Sequence, residues 1–361
     1  MTTPTEREVK LELPPAAVPQ FHKLPLIRGM AQLGLRSKAD RGYGLLDGEE
    51  QGAAKFPGVA LSRSMATREA FKRIGRACLQ QIVANEPALM RGDGEGVHQM
   101  RVGIRRLRAA ISLFAALLRD PETEKIKDEL KWLTGELGPA RELEVLINRV
   151  VKPVRKSKSK WNGMPSLCKE FAERRAAALA QAREAVASER FRMLALDVAA
   201  WLEVGQWSKP EDDLIRDRGN LPIEEFAAEQ VSQRQRKIRK KHKSFADLDA
   251  RQRHKLRIQA KKLRYAAEFF GDLFPGKKAS RRRAKFLAAL ERVQDCLGDL
   301  NDITVHEKII SDAAFRRRNT GRRGAFAAGL LTGREDARLD AVMAGAEAAL
   351  KGFARVKPYW S

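Results

Sequence analysis

Residues 98–108 read His98-Gln-Met-Arg101-Val-Gly-Ile-Arg105-Arg106-Leu107-Arg108, and residues 254–264 read His254-Lys-Leu-Arg257-Ile-Gln-Ala-Lys261-Lys262-Leu263-Arg264. The two segments lie 156 positions apart, and every basic position of the first is basic in the second. The match extends beyond them, with Phe114 matching Phe270. Such self-similarity predicts that the chain contains an internal duplication.

Helical geometry separates the residues of each segment into two faces. At about 100° per residue, Met100, Ile104, Leu107 and Phe114 fall within an arc of about 80°, which we expect to be buried. The basic residues fall on a neighbouring arc and form two ladders of cations, each about 15 Å long. The first basic ladder is His98, Arg101, Arg105 and Arg108; the second basic ladder is His254, Arg257, Lys261 and Arg264.

Two ladders of one sign favour binding over a simple solvated surface. Exposed helices usually mix charges, because opposite charges four residues apart stabilise a helix and like charges destabilise it. The charge of the whole chain also favours binding, since its 361 residues include 70 Lys and Arg against 46 Asp and Glu, which gives a net charge of +24. That excess favours polyanionic partners, namely nucleic acid, polyphosphate or an acidic membrane surface.

Other features of the composition narrow the class of protein. Cys78, Cys168 and Cys296 are too few and too far apart for a disulfide framework or a metal site. Residues 1–10 are charged, without an apolar core of signal-peptide length, and the sequence has no run of about 18 apolar residues, so we expect a soluble cytoplasmic protein.

The order of patterns along the chain predicts an all-α protein after a short β or irregular N-terminal segment. Residues 7–13 alternate polar and apolar like a strand, prolines follow, and residues 1–60 are too few for a domain core. Helical patterns run from Ser64 to about residue 355, with no strand. They predict single helices over 97–118, 249–274 and 322–353, and surface loops at 152–160 and 207–220.

A second pair of matching segments follows the ladders at an offset of 160. Residues 137–145 begin Leu137-Gly138-Pro139-Ala140-Arg141-Glu142, and residues 297–305 begin Leu297-Gly298-Asp299-Leu300-Asn301-Asp302. In both copies the glycine predicts a break between helices. Arg141 and Asn301 would then reach either toward the ladders and their ligand or into capping and interhelical pairs.

With these four segments, the chain resembles the CHAD family, the conserved histidine α-helical domain, over residues 64–355. The resemblance implies two four-helix bundles related by pseudo-two-fold symmetry, with repeat one at about 64–205 and repeat two at about 221–355. It also implies that the basic helices line a shared surface that binds inorganic polyphosphate. The candidate contacts are His98, Arg101, Arg105, Arg106, Arg108, Arg141, His254, Arg257, Lys261, Lys262, Arg264 and Asn301.

The N-terminus is similar to the start of a CYTH domain, a triphosphate-tunnel fold, through Glu6-x-Glu8-x-Lys10. In that family such residues help to bind metal and triphosphate inside eight strands. Eight strands of about five residues with their turns do not fit into residues 1–60, so we expect a truncated CYTH-like remnant without a working tunnel. Glu6 and Glu8 would bind a metal only in a functional tunnel.

We therefore expect a non-enzymatic protein without cofactor or metal site, because the ladders hold no carboxylates that could place Mg²⁺ beside phosphates. The ladder histidines would strengthen phosphate binding as the pH falls through about 6.5. Nucleic-acid binding is the leading alternative, although the ladders lack the aromatic residues on which bases stack. Association with polyphosphate granules or acidic membranes through basic stretches, and residual triphosphatase activity, also remain open, as does the oligomeric state.

Overall fold

The computed structural model describes residues 52–156, 163–315 and 321–360. Within these ranges the chain is helical, with no β-strand and one isolated bridge between Ala66 and Pro222, so the all-α prediction is confirmed. The helices are α1 Thr67–Val83, α2 Glu86–Met90, α3 Gly94–Leu113, α4 Pro121–Glu136, α5 Gly138–Leu146, α6 Lys152–Lys156, α7 Met164–Ala187, α8 Glu189–Val204, α9 Asp213–Asn220, α10 Ile223–Lys241, α11 Ala250–Phe269, α12 Lys277–Phe315, α13 Gly321–Asp336 and α14 Leu339–Ala354.

The two helices that carry the ladders start at acidic caps. The side chain of Asp93 accepts a hydrogen bond from the Glu95 N–H at the start of α3. Asp249 forms a capping box with Gln252 at the start of α11. Such caps satisfy N–H groups that have no partner inside the helix. Both helices end at the phenylalanine that closes the repeated pattern, since Phe114 and Phe270 leave helical geometry. The predicted ends at residues 118 and 274 were therefore too late.

The segments that carry the second repeated signature show where the glycine rule fails. In the first half, α4 and α5 are separate helices that meet at Leu137 and Gly138. In the second half, α12 runs unbroken through Gly298 for 39 residues, so the predicted break there is wrong. The difference is Pro139, which has no N–H to donate and whose ring clashes with the carbonyl four residues earlier. Asp299 occupies the matching position and keeps its N–H.

Three further boundaries differ from the predictions. Residues 213–220 form α9 instead of a loop, because the Asp212 side chain accepts hydrogen bonds from the N–H groups of Leu214 and Ile215. The loop expected from residue 152 begins as a helix that follows a π-helical turn, Ile147–Val151. The helix expected over 322–353 is two helices, α13 and α14, although no Pro or Gly lies between Asp336 and Leu339.

Apolar side chains pack between α3 and α11, and we call this contact between the two halves the seam. Phe114 and Phe270 are fully buried, and their ring centroids lie 6.2 Å apart in an edge-to-face pair. Phe226 of α10 stacks on Phe114 with centroids 4.8 Å apart. The buried residues of both halves form one continuous core cluster. The predicted inward arc of α3 is buried as expected, from Met100 to Phe114.

Contacts between the halves occur in reciprocal pairs. The Thr67 N–H donates to the Leu221 carbonyl at 2.9 Å, and the Ile223 N–H donates to the Met65 carbonyl at 2.8 Å. Thr67 and Ile223 are 156 positions apart, and so are Met65 and Leu221, so the two bonds are equivalent under the repeat. Such exchanged contacts are what a two-fold axis produces. They support the predicted pseudo-two-fold relation and the duplication.

The predicted CYTH-like segment, with Glu6 and Glu8, lies largely outside the described residues. Its described part, residues 52–60, reaches the helical core without forming a helix or strand. The Asn85 side chain accepts a hydrogen bond from the Ala54 N–H and donates one to the Ala54 carbonyl. The ring of Phe56 lies 5.9 Å from that of Phe269, so this segment packs beside the seam between the halves.

We predict that Phe114→Ala lowers the free energy of unfolding by about 3–5 kcal/mol, because it removes a buried ring that holds α3 against α10 and α11. Urea unfolding measures the change. The control Leu214→Ala, at a side chain that is 80% exposed, should stay within about 0.5 kcal/mol of the parent protein. Equal effects of the two substitutions would show that the seam is not part of the cooperative core.

Candidate functional site

Four cations from the two basic ladders converge at the seam between α3 and α11. They are Arg101 and Arg105 of α3 with Arg257 and Lys261 of α11, and we call them the cation cluster. All four are partly buried. Arg101 matches Arg257 and Arg105 matches Lys261 at the repeat offset, so the cluster is built from two equivalent pairs.

The pKa values of the cluster show how strongly its charges are confined. Burial, followed by repulsion from Arg105 and Arg257, lowers the pKa of Lys261 to about 7. Burial, followed by repulsion from Arg105, lowers the pKa of Arg101 to about 10. The pKa of Arg257 is also lowered, first by burial. Folding therefore holds these positive charges together at a cost in free energy.

Two guanidinium groups of the cluster have polar atoms without a partner. The Nε atoms of Arg105 and Arg257 are buried and make no hydrogen bond within the described part of the chain. Buried donors are normally satisfied, and leaving one unsatisfied costs about 1–3 kcal/mol. Arg101 is held in place, since its Nη1 donates to the Thr134 carbonyl in the last turn of α4 at 2.9 Å. An anion in the cluster would supply the missing acceptors.

Each end of the cluster carries a histidine and a residue of the second repeated signature. His254 Nδ1 lies 2.8 Å from Asn301 Oδ1. At the other end, Arg141 is the charge that most strongly lowers the pKa of His98. The structure thus brings Arg141 and Asn301 to the ladders. Both also make local contacts, since Arg141 forms an ion pair with Glu144 at 3.0 Å.

The expected titration near pH 6.5 is wrong for His98. Burial is the largest cause, and repulsion by Arg141 adds to it, so the pKa of His98 falls to about 4. Without a ligand the imidazole is therefore neutral at physiological pH. It can still donate one hydrogen bond to an anion through the nitrogen that carries its proton.

One carboxylate borders each end of the cluster. Glu142 acts on Arg101, and Asp302 acts on Arg257 and Lys261, each raising the pKa of its neighbour. Neither makes an ion pair within 4 Å with these cations in the described structure. Asp302 instead pairs with Arg149 at 3.3 Å, and Arg149 also pairs with Asp299 at 2.9 Å.

Sequence reasoning missed Arg149. It lies on the π-helical turn of the first half and crosses the seam to pair with two carboxylates of the second half. At the offset of 160 its counterpart is Ile309, so the repeat holds no signal for it. Only the path of the chain after α5 shows its position.

Four of the predicted contacts lie neither in the cluster nor at its ends. Arg106 forms an ion pair with Glu268 at 2.9 Å, and the matching Lys262 donates to Ser112 Oγ at 2.8 Å. Both are about 100° further around their helices than Arg105 and Lys261, so they face the seam on another side. Arg264 pairs with Glu268 and Glu291. Arg108 is exposed, beside Lys262.

The described residues contain no group of three or more His, Cys, Asp or Glu side chains that could hold a metal ion. None of the described helices is long and apolar enough to cross a membrane.

Comparison with known proteins places this geometry in a family. The family model described as the CHAD domain matches residues 73–311, which include both ladders and both second signatures. The chain belongs to the CHAD family. The predicted family is therefore confirmed, while the CYTH-like remnant stays a prediction because its segment lies outside the match.

Two solved structures resemble this CHAD protein. The crystal structure of the CHAD domain from the plant Ricinus communis is 30% identical, with a TM-score of 0.68, covering 82% of this chain and 97% of that chain. PptA from Streptomyces chartreusis is 18% identical, with a TM-score of 0.54, covering 80% of this chain and 100% of that chain. The second likeness concerns the fold alone. A search of curated proteins gave no match.

We predict that Lys261→Met raises the free energy of unfolding of the ligand-free protein at pH 7 by about 0.5–2 kcal/mol, because it removes a confined charge. The gain should shrink as the pH rises above about 7, where Lys261 loses its proton in the folded state. Chemical unfolding at pH 6 and pH 9 measures both effects. The control Lys255→Met changes an exposed charge of the same helix. A destabilising Lys261→Met would contradict the account.

Proposed function

We propose that this CHAD protein binds inorganic polyphosphate in the cation cluster and catalyses no reaction. The observation that carries the proposal is the convergence of four cations from two helices. None of the four has an ion-pair partner within 4 Å among the described residues, and Arg101 donates only to the Thr134 carbonyl. An anion that neutralises these charges relieves the repulsion between them. The free energy of that repulsion in the ligand-free protein therefore adds to the free energy of binding.

The length of the ladders supports a chain of phosphates over a single phosphate ion. From His98 to Arg108 the first ladder rises about 15 Å along α3, and the second ladder repeats this rise along α11. Both guanidinium and ammonium groups bind phosphate oxygens, and the guanidinium can do so through two N–H groups at once. The two histidine ends would then bind phosphates further along the same chain.

Nucleic acid remains the second candidate, and the aromatic residues argue against it. Proteins that bind single strands stack bases on exposed aromatic side chains. The ladders contain none, and the nearby Tyr265 is buried, with its ring against the guanidinium of Arg106. A polymer with phosphates and no bases therefore fits the site better.

A non-catalytic role is supported by the positions of the carboxylates. Phosphoryl transfer usually needs Mg²⁺ held by carboxylates beside the phosphates. Glu142 and Asp302 belong to opposite halves, and Asp302 already pairs with Arg149. A protein that only holds polyphosphate would associate with cytoplasmic polyphosphate granules, which is the location we propose.

We predict that Arg101→Ala/Arg257→Ala weakens binding of long-chain polyphosphate by about 10²-fold or more, because each charge-assisted contact contributes about 1.5–3 kcal/mol. Titration calorimetry at ~150 mM salt measures it, with single-stranded DNA of equal charge as the competing ligand. The control Arg251→Ala/Lys255→Ala removes two exposed charges near the start of the same helix α11.

The parent protein should prefer polyphosphate to DNA, and the control should keep that preference. Equal affinity for the two polymers, or equal losses in the site and control variants, would leave only a basic surface and favour the nucleic-acid alternative.

We predict that polyphosphate binding weakens as the pH rises from 6 to 8.5. The pKa of Lys261 is about 7 in the free protein, and a bound anion raises it, so binding above pH 7 takes up a proton. The affinity then falls by up to about tenfold per pH unit for one proton taken up. Lys261→Arg, which stays charged throughout, should remove most of this dependence, whereas Lys255→Arg should not.

Calorimetry in two buffers of different ionisation enthalpy counts the protons directly. Uptake of about one proton at pH 8 is expected for the parent protein and much less for Lys261→Arg. The same uptake in both proteins would show that Lys261 is not in contact with the ligand.

A further inference from the structure

Three segments outside the cation cluster contain only basic charges. Residues 234–243 carry seven Lys and Arg, residues 277–285 carry six, and residues 351–357 carry three, and none of these segments contains Asp or Glu. They form the end of α10, the start of α12, and the end of α14 with the tail that follows it.

The C-terminal tail brings these three segments together. Trp360 Nε1 donates to Ser232 Oγ of α10 at 2.6 Å, and the Trp360 ring packs edge-on against Phe286 of α12 with centroids 5.4 Å apart. The Gln235 side chain also donates to the Val356 carbonyl. The tail therefore lies between α10 and α12, next to the basic parts of both.

Exposed cations flank this tail from three elements. Arg236 and Arg239 follow Gln235 on α10 by about 100° and 40°, so they lie on the side of that helix that faces the tail and solvent. Lys285 precedes Phe286 on α12, and Lys357 lies on the tail itself. All four are exposed. We call Arg236, Arg239, Lys285 and Lys357 the outer basic face.

The charges of the outer basic face are not compensated by the described residues. On α12, Arg283 pairs with Asp272 at 3.3 Å, and on α10 the side chain of Arg234 donates to the Ser112 carbonyl. None of its four cations forms an ion pair in the described structure. Such clustering is unfavourable without an anionic partner.

The outer basic face differs from the cation cluster in its elements and its exposure. The charges that shift the pKa values of Arg101, Arg257 and Lys261 do not include any residue of the outer basic face. The cluster is partly buried at the seam, whereas the outer basic face is open to solvent.

We propose that the outer basic face is a second polyanion-binding site, which takes another stretch of polyphosphate by charge alone. The inference rests on the proposed function for the nature of the polymer. A protein with two such sites joins two polyphosphate chains, or two stretches of one chain, and gains affinity for long polymers over short ones through linked binding.

The local surface favours a polymer over a lipid membrane. The large hydrophobic side chains that are exposed among the described residues, such as Phe315 and Phe326, do not belong to the outer basic face. The aromatic residues beside it are engaged, since Tyr359 is buried and Trp360 is bonded to Ser232. Nothing there would insert into a bilayer.

The test removes the two sites separately and together in the full chain. The cluster variant is Arg101→Ala/Arg257→Ala, in the cation cluster. The face variant is Arg236→Gln/Arg239→Gln/Lys285→Gln/Lys357→Gln. A matched variant, Arg119→Gln/Lys125→Gln/Lys131→Gln/Arg183→Gln, removes the same charge from exposed sites of the first half. Binding of tripolyphosphate and of long-chain polyphosphate is titrated over a range of salt concentrations.

We expect the cluster variant to keep residual, salt-dependent binding of long-chain polyphosphate. Adding the face substitutions should weaken that residual binding by about tenfold or more and reduce its salt slope by about 3, whereas the matched substitutions should leave both unchanged. The face variant alone should bind tripolyphosphate like the parent protein.

Three results separate the possible failures. Loss of all binding in the cluster variant, or equal effects of the face and matched substitutions, would overturn the second site and leave the proposed function intact. Normal binding by the cluster variant, together with loss of binding in the face variant, would support the outer basic face and refute the cation cluster as the binding site. Face-dependent binding to vesicles of anionic lipid without binding to polyphosphate would identify a membrane as the partner and overturn the proposal.

Discussion

The packing of α3 against α11 is the contact on which the rest of the structure depends. Burial of a phenylalanine side chain contributes about 1.5–3 kcal/mol, and Phe114 and Phe270 are both fully buried at this seam. The same contact buries Lys261 beside Arg105, and burial, followed by repulsion from Arg105, lowers the pKa of Lys261 to about 7. Apolar packing thus offsets a repulsion that the helices would otherwise avoid, and the confined charge becomes available for binding an anion.

Much of this arrangement could be predicted from the sequence, because it depends on periodicity. The 3.6-residue period identified the buried arc from Met100 to Phe114 and the basic arc beside it, and the repeat transferred both to α11. The distance between the ladders could not be predicted, since it depends on how the two halves pack. Arg149 could not be identified because it has no counterpart, and the unbroken α12 was missed because a glycine alone does not stop a helix.

The two halves carry matching sequence signatures but have different chemistry at their ends. Arg141 lies near His98, whereas the matching Asn301 contacts His254 through an amide. Pro139 separates α4 from α5, and the π-helical turn that follows places Arg149 against the carboxylates of the other half. One end of the cation cluster therefore carries an additional arginine, and the other carries two carboxylates that share one arginine. A symmetric polymer would meet two unequal ends of one site.

The central claim is that a polyanion relieves repulsion between charges of the two helices. A double-mutant cycle of Arg105→Gln and Lys261→Gln, measured by urea unfolding with and without saturating polyphosphate, tests it directly. The account predicts a repulsive coupling of about 0.5 kcal/mol or more in the free protein, which disappears or changes sign with the ligand bound. Additive effects in the free protein, or a coupling that the ligand leaves unchanged, would contradict it.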